Sequence, residues 1–206
     1  VAALGVTAAL SACRVYGQPK GPVIDATDAN VTRLTANVLG QSQFSHHPLD
    51  RQLASQFLDG YLDALDASHS LFSEADVAHF APYRSTLVDS TLVRGDTRAA
   101  QAIFKVYLER LGERTRYATH LLATSRFDFT GHDTLSLDGR HAPRPKDRAA
   151  AEPLWRTQVR AAYLEQKLAG TPPERIVSSL QHRYEQELAM MQGLRPSEVL
   201  EIYLNA

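Results

Sequence analysis

Residues 97–123 read TRAAQAIFKVYLERLGERTRYATHLLA, and no other stretch constrains the architecture as tightly. Ala100, Ile103, Phe104, Tyr107, Leu111, Ala118, Leu121 and Leu122 recur at spacings of three and four, which places them on one side of a 3.6-residue helix. Thr97 opens this helix, and at 1.5 Å per residue it spans roughly 40 Å. The opposite face carries Arg98, Lys105, Glu109, Arg110, Glu113, Arg114 and Arg116. Glu109 and Glu113 are spaced to pair with nearby arginines. Mixed signs cancel the field, so these residues read as a solvated face rather than an arginine-lined groove for acidic ligands.

The same periodicity runs outward in both directions. Upstream, Asp28 can cap a helix near Ala29–Gln43 with Val31, Leu34 and Val38 on its buried stripe, ended by His46, His47 and Pro48. A second helix is expected near Leu49–Asp66, where Leu49, Leu53, Phe57, Tyr61 and Leu65 repeat at four while Leu58 and Leu62 widen the stripe. Ser73 followed by Asp76 has the spacing of a capping box, so a third helix starts at Glu74 and turns Val77 and Phe80 inward. Pro82 kinks or splits that segment, and Gly95 stops it.

Downstream, residues 126–147 are the one long non-helical stretch, with Phe127-Asp-Phe129 and Leu135-Ser-Leu137 in alternation. A short extended excursion is expected there, pinned to the helices by its aromatics. Helices resume near Arg148–Ala169, with Leu154, Trp155, Val159, Ala162, Tyr163 and Leu168 inward and Gly170 as the stop. Another follows Pro172 and Pro173 and carries Ile176, Leu180, Tyr184, Leu188 and Met191. A last one occupies Pro196–Ala206 and reaches the final residue with no Gly or Pro to close it. Its apolar positions from Val199 to Leu204 are expected to be partly exposed for want of natural partners, and so to drive self-association. No fixed period relates the helices, which excludes a solenoid. The expected fold is all-α, a multi-helix bundle without repeats and with a single loop excursion near 126–147.

Composition agrees with one globular domain. The chain has 206 residues, 44% hydrophobic and 22% charged, with 22 basic against 23 acidic side chains. That length supports a real core. So near a charge balance provides no field for polyanions, and no nucleic-acid partner is expected. A single cysteine excludes both an internal disulfide and a cysteine zinc cluster.

The first residues differ in kind. Val1–Leu10 contain nothing ionisable and end in Ser11 and Ala12, too short to span a bilayer but fitting a secretory apolar region. Residues 1–12 therefore read as an export signal lacking its basic beginning. Leu10-Ser-Ala-Cys13 resembles the lipobox at which bacterial lipoproteins are cleaved and acylated, which makes Cys13 the lipidation candidate and a lipid anchor the only expected tie to a membrane. The competing reading is ordinary cleavage near Ser11. Residues 13–28, with few large apolar side chains among their Pro and Gly, form a flexible tether, leaving 29–206 as the helical domain.

The search for chemistry is negative. There is no Gly-x-Ser-x-Gly elbow, P-loop, His-Glu-x-x-His or dinucleotide fingerprint. Of eight histidines only His46 and His47 are close in sequence, and adjacent residues on an extended chain point apart. No metal, cofactor or catalytic residue is assigned. His69 and His120 read as turn and helix-surface residues, with nothing nearby in sequence to orient them. Trp155 and the tyrosines sit at helical spacing and read as core.

The run Phe57–Phe72, FLDGYLDALDASHSLF, resembles the N-terminal domain of the bacterial tail-specific, or carboxy-terminal processing, proteases. Ser73–Arg84, Gly95–Leu122, Phe127-Asp-Phe-Thr130, Leu154-Trp-Arg156, Lys167-Leu-Ala-Gly170, Arg183-Tyr-Glu185 and Tyr203-Leu-Asn-Ala206 resemble family segments in the same order. The chain departs from the family at Ala67, where Pro is usual, and at His69, where a basic residue is usual, which implies a less rigid turn. The resemblance implies a periplasmic serine endopeptidase. Such an enzyme engages apolar C-terminal tails of protein substrates through a PDZ domain and cleaves with a serine and a lysine base. The family places that machinery downstream, so Lys105, Lys146 and Lys167 receive no such role. The expectation is a framing and docking region, inactive by itself and cut at its C-terminal end, with an adaptor protein as a candidate partner. The alternative is a self-contained helical envelope lipoprotein that scaffolds partners without catalysis.

Overall fold

The computed structural model describes residues 30, 34, 51–84, 96–130, 134, 139 and 142–206, with side chains of the first long helix from Ser55 onward. Six helices and no strand are present among the described residues. They are α1 (Arg51–Leu65), α2 (Glu74–Phe80), α3 (Arg98–Thr124), α4 (Arg148–Leu168), α5 (Pro173–Gln192) and α6 (Pro196–Leu204).

The 27 residues of α3 form the spine. Its first half contributes Ala100, Ile103, Phe104, Tyr107 and Leu111 to a core shared with α1, α2 and α6. Its second half contributes Ala118, Leu121 and Leu122 to another core, closed by Val159 of α4 and by Ile176, Leu180 and Tyr184 of α5. One uninterrupted apolar stripe thus serves two cores, because a helix this long outreaches the thickness of a single cluster. In the first core Tyr203 meets the ring edges of Phe57 and Tyr61, each at 4.8 Å between centroids. The Tyr61 hydroxyl donates to the Ala100 carbonyl at 3.2 Å, so its one polar atom is satisfied where it is buried. Burial, with the Glu187 carboxylate nearby, pushes the Tyr107 phenol up to about 12.

Helix ends follow local chemistry. Ser73 and Asp76 form a complete capping box at the start of α2. Helix α2 stops at Phe80 before Pro82, and helical geometry resumes at Tyr83 and Arg84. The Asp147 side chain accepts from the Ala150 N–H to start α4. Beyond α4, Gly170 takes φ of +81°, a conformation glycine adopts without the Cβ penalty.

Several sequence expectations change. The last helix does not present its apolar face to solvent: Val199, Leu200 and Tyr203 are buried in the first core, and Ile202 and Leu204 pack against it. The exposure expected for want of partners is absent at Val199, Leu200 and Tyr203, where α1 and α3 supply the partners, while Ile202 and Leu204 stay partly exposed. Leu154 and Leu168 point outward, Leu168 being 79% exposed, because α4 touches its neighbours along a stripe centred on Ala151, Trp155 and Val159. Leu34 is 65% exposed rather than inward. Of the helix expected near 29–43 only Asn30 and Leu34 are described, both helical. The described part of the 126–147 excursion contains no strand, while its aromatic pinning is present: Phe127 and Phe129 lie 4.9 and 5.9 Å from the Tyr163 ring of α4. Cys13, His46, His47, Gly95, Leu135 and Leu137 lie outside the described residues.

Candidate functional site

The first long helix ends on two acids, Asp63 and Asp66, with no basic residue in its last turn. Carboxylates at a helix C-terminus face the negative end of the dipole, so they need partners from elsewhere. Asp66 finds them at once. Its buried carboxylate accepts the backbone N–H groups of Ser70, Leu71 and Phe72 at 3.0, 3.1 and 3.0 Å, which folds residues 66–72 into a tight turn around it. Its charge is met by Arg144, from the far end of the excursion, at 2.8 Å. The same guanidinium reaches Asp63 Oδ1 at 2.9 Å and lies over the Phe72 ring.

The described residues at the far end of that excursion, Gly139 and 142–145, lie across the turn as a strap. The Gly139 backbone lies so close to Ser68 that a Cβ at 139 would stand 2.7 Å from the Ser68 Cα. The Ala142 carbonyl meets His69 Nδ1 at 2.8 Å, and the Pro145 carbonyl accepts the Glu74 N–H at 2.9 Å. From the other side the Trp155 indole donates to the Ser70 carbonyl at 2.7 Å. Trp155 is therefore core, as its spacing indicates, and also a hydrogen-bonded brace. His69 is a turn residue, as expected, but it is oriented: Asp63 Oδ1 lies 2.8 Å from its Nε2.

Beside the turn, the Asp76 carboxylate takes a two-pronged contact from Arg110 of α3, at 2.7 and 2.9 Å, and hydrogen bonds from Ser73. Burial alone raises the Asp76 carboxyl, yet the bonds from Arg110 and Ser73 outweigh it and hold the group below the ordinary carboxylate range. The Asp76 hydrogen bond lifts the Arg110 guanidinium further above its ordinary value, against burial. Arg110 also bonds Glu113, and Arg114 reaches Glu187 of α5 at 2.6 Å. The polar face of α3 is thus only partly solvated, since two of its arginines clamp α2 and α5. Periodicity could not reveal this because each partner lies on another element. A pocket of about 190 Å³ opens here, lined by Leu71, Ala75, Asp76, Arg110, Glu113 and Trp155 among others. Asp76, Arg110 and Glu113 in its wall are engaged with one another.

What the arrangement does is fasten chain segments. Among the described residues no three His, Cys, Asp or Glu side chains come together to hold a metal. Lys105, Lys146 and Lys167 are exposed, with Lys167 over the Phe129 ring at 5.1 Å, so none has the desolvated setting that a lysine base needs. His120 is exposed on α3. No described helix is long and apolar enough to cross a membrane.

Comparison with known proteins gives the family. Residues 35–206 match the tail specific protease N-terminal domain family. The chain is 29% identical over 185 residues to the tail-specific protease of Haemophilus influenzae, an alignment covering 90% of this chain and 26% of that relative. The hub residues Asp63, Asp66, His69, Ser73, Asp76, Arg110, Arg144 and Trp155 all fall inside the matched region. From residue 35 to its last residue, the chain belongs to the tail-specific protease N-terminal domain family.

Proposed function

We propose that this chain is the helical framing and docking region of a periplasmic tail-specific serine endopeptidase. Such an enzyme cleaves proteins bearing apolar C-terminal tails, with substrate capture by a PDZ domain and hydrolysis by a serine and lysine pair in domains beyond this one. The observation that carries this reading is the family match over residues 35–206, on a scaffold whose buried charges tie elements together. A frame must hold its shape while other domains work, and the hub gives α1, α2, α3 and the strap fixed mutual positions. Within the frame no side chain takes a catalytic role. An adaptor protein and protein substrates are the partners, and nucleic acid is not one.

Cys13 is proposed as the lipid attachment point of the exported protein. Labelling cells with radioactive palmitate tests it: incorporation lost in Cys13→Ser supports the anchor, while no incorporation, or label that survives the substitution, removes it. The framing reading itself is tested on the coding sequence. If codons after Ala206 specify a PDZ domain and a serine and lysine pair, the reading stands. A stop codon directly after Ala206 leaves the scaffold lipoprotein instead.

A further inference from the structure

The strap contains one contact whose strength depends on a proton. Both ring nitrogens of His69 face oxygens at 2.8 Å, Nδ1 the Ala142 carbonyl and Nε2 Asp63 Oδ1. A backbone carbonyl and an ionised carboxylate only accept, so each contact needs a ring N–H, and a neutral imidazole has one. Only the doubly protonated ring donates to both. In either neutral tautomer one ring lone pair points at an oxygen, and the link from Asp63 across His69 to Ala142 is broken at one of its ends. The ring sits in the turn at φ of +50°, with its side chain only 13% exposed, so it has little room to swing to water and recover the missing bond.

We propose that His69 is a proton-dependent latch for the strap, holding Ala142 onto the turn when it carries both protons and loosening it when it is neutral. Among the described residues the charged groups around the ring are Asp63 from α1, Asp66 from the turn and Arg144 from the strap. Arg144 bonds both carboxylates whether or not His69 is charged, so its own contacts do not depend on the His69 proton. The pH response is therefore read at Ala142 and its bond to Gly139. The structural consequence is a change in order at one surface of the frame, where α1 and the strap meet, without loss of either core.

The test is amide hydrogen exchange on this chain by NMR at pH 5.5, 7 and 8, the range over which histidine side chains change charge. Rates are corrected for intrinsic exchange and referred to buried amides of α3. The reporter is the Ala142 N–H, which donates to the Gly139 carbonyl at 3.0 Å. The expected result is a fall of about tenfold in its protection from pH 5.5 to 8, the size of effect of one charge-assisted hydrogen bond. His69→Gln should be low and flat across the range, whereas His141→Gln, removing the neighbouring histidine in sequence, should keep the fall. Flat protection in the natural chain, the same fall in His69→Gln, or its loss in His141→Gln would each overturn the latch. If the His69 variant does not fold, the natural chain decides through the nitrogen shifts of the His69 ring. Protection that falls as the second ring proton is lost supports the latch, and protection that changes out of step with that proton overturns it.

Discussion

At the residue scale the largest single contribution belongs to Asp66. Its carboxylate serves three backbone N–H groups and Arg144, and nothing else in the turn can replace it. Asp66→Ala leaves those three donors without a partner and takes one of its two carboxylates from the mostly buried Arg144 guanidinium, which costs about 3 kcal/mol or more by urea unfolding. Glu152→Ala, which removes an exposed partner of Arg148, should change stability by less than about 0.5 kcal/mol. Two glycines separate space from conformation. Gly139→Ala drives a Cβ into the Ser68 backbone, which has no flexible end to move, and should cost about 2 kcal/mol with loss of strap protection. Gly170→Ala meets open space and costs only about 1 kcal/mol, from the positive φ alone. The composition FLDGYLDALDASHSLF carries a hint of Asp66 that periodicity passes over: two acids in a last turn, where the helix dipole disfavours them, imply a cation from elsewhere. That the cation is Arg144 was not legible, because 78 residues separate the pair and only folding joins them.

At the element scale, the helices whose start or stop is written in local side chains were the readable ones. The spacing of Ser73 and Asp76 gave α2, Gly170 the end of α4, and Pro172 with Pro173 the start of α5. Outward faces were less legible. Leu154 and Leu168 satisfy the apolar periodicity of α4, but which arc of a helix touches its neighbours is fixed by crossing geometry, not by its own sequence. The same holds for α6, whose apolar face is covered by elements distant in sequence. Tyr203→Ala, which empties the space between Phe57 and Tyr61, should cost about 3 kcal/mol and leave α4 and α5 helical, read by residue-specific hydrogen exchange. The capping box of α2 brings a pH dependence. Because the folded Asp76 carboxyl titrates below its unfolded value, the unfolded chain binds more protons as acid is added. The stabilisation is complete above the unfolded value of about 4 and is lost as pH falls through the folded one. Urea midpoints measured from pH 5 to pH 2.5 should fall more steeply for the natural chain than for Asp76→Asn.

At the scale of the whole molecule, α3 joins two cores that would otherwise be separate clusters, and the hub locks the turn, the strap and α2 onto its first half. Absence of strand alternation and the length of the 97–123 stripe made the all-helical class legible, whereas the hub that stiffens it is built from contacts between 34 and 85 residues apart in sequence. The claim that this chain frames a protease without being one is met most directly by a single assay: the purified chain incubated with an unfolded protein ending in an apolar tail, followed by mass spectrometry of the products. Intact substrate after prolonged incubation is the predicted result. Reproducible cleavage that follows the chain through purification would contradict it.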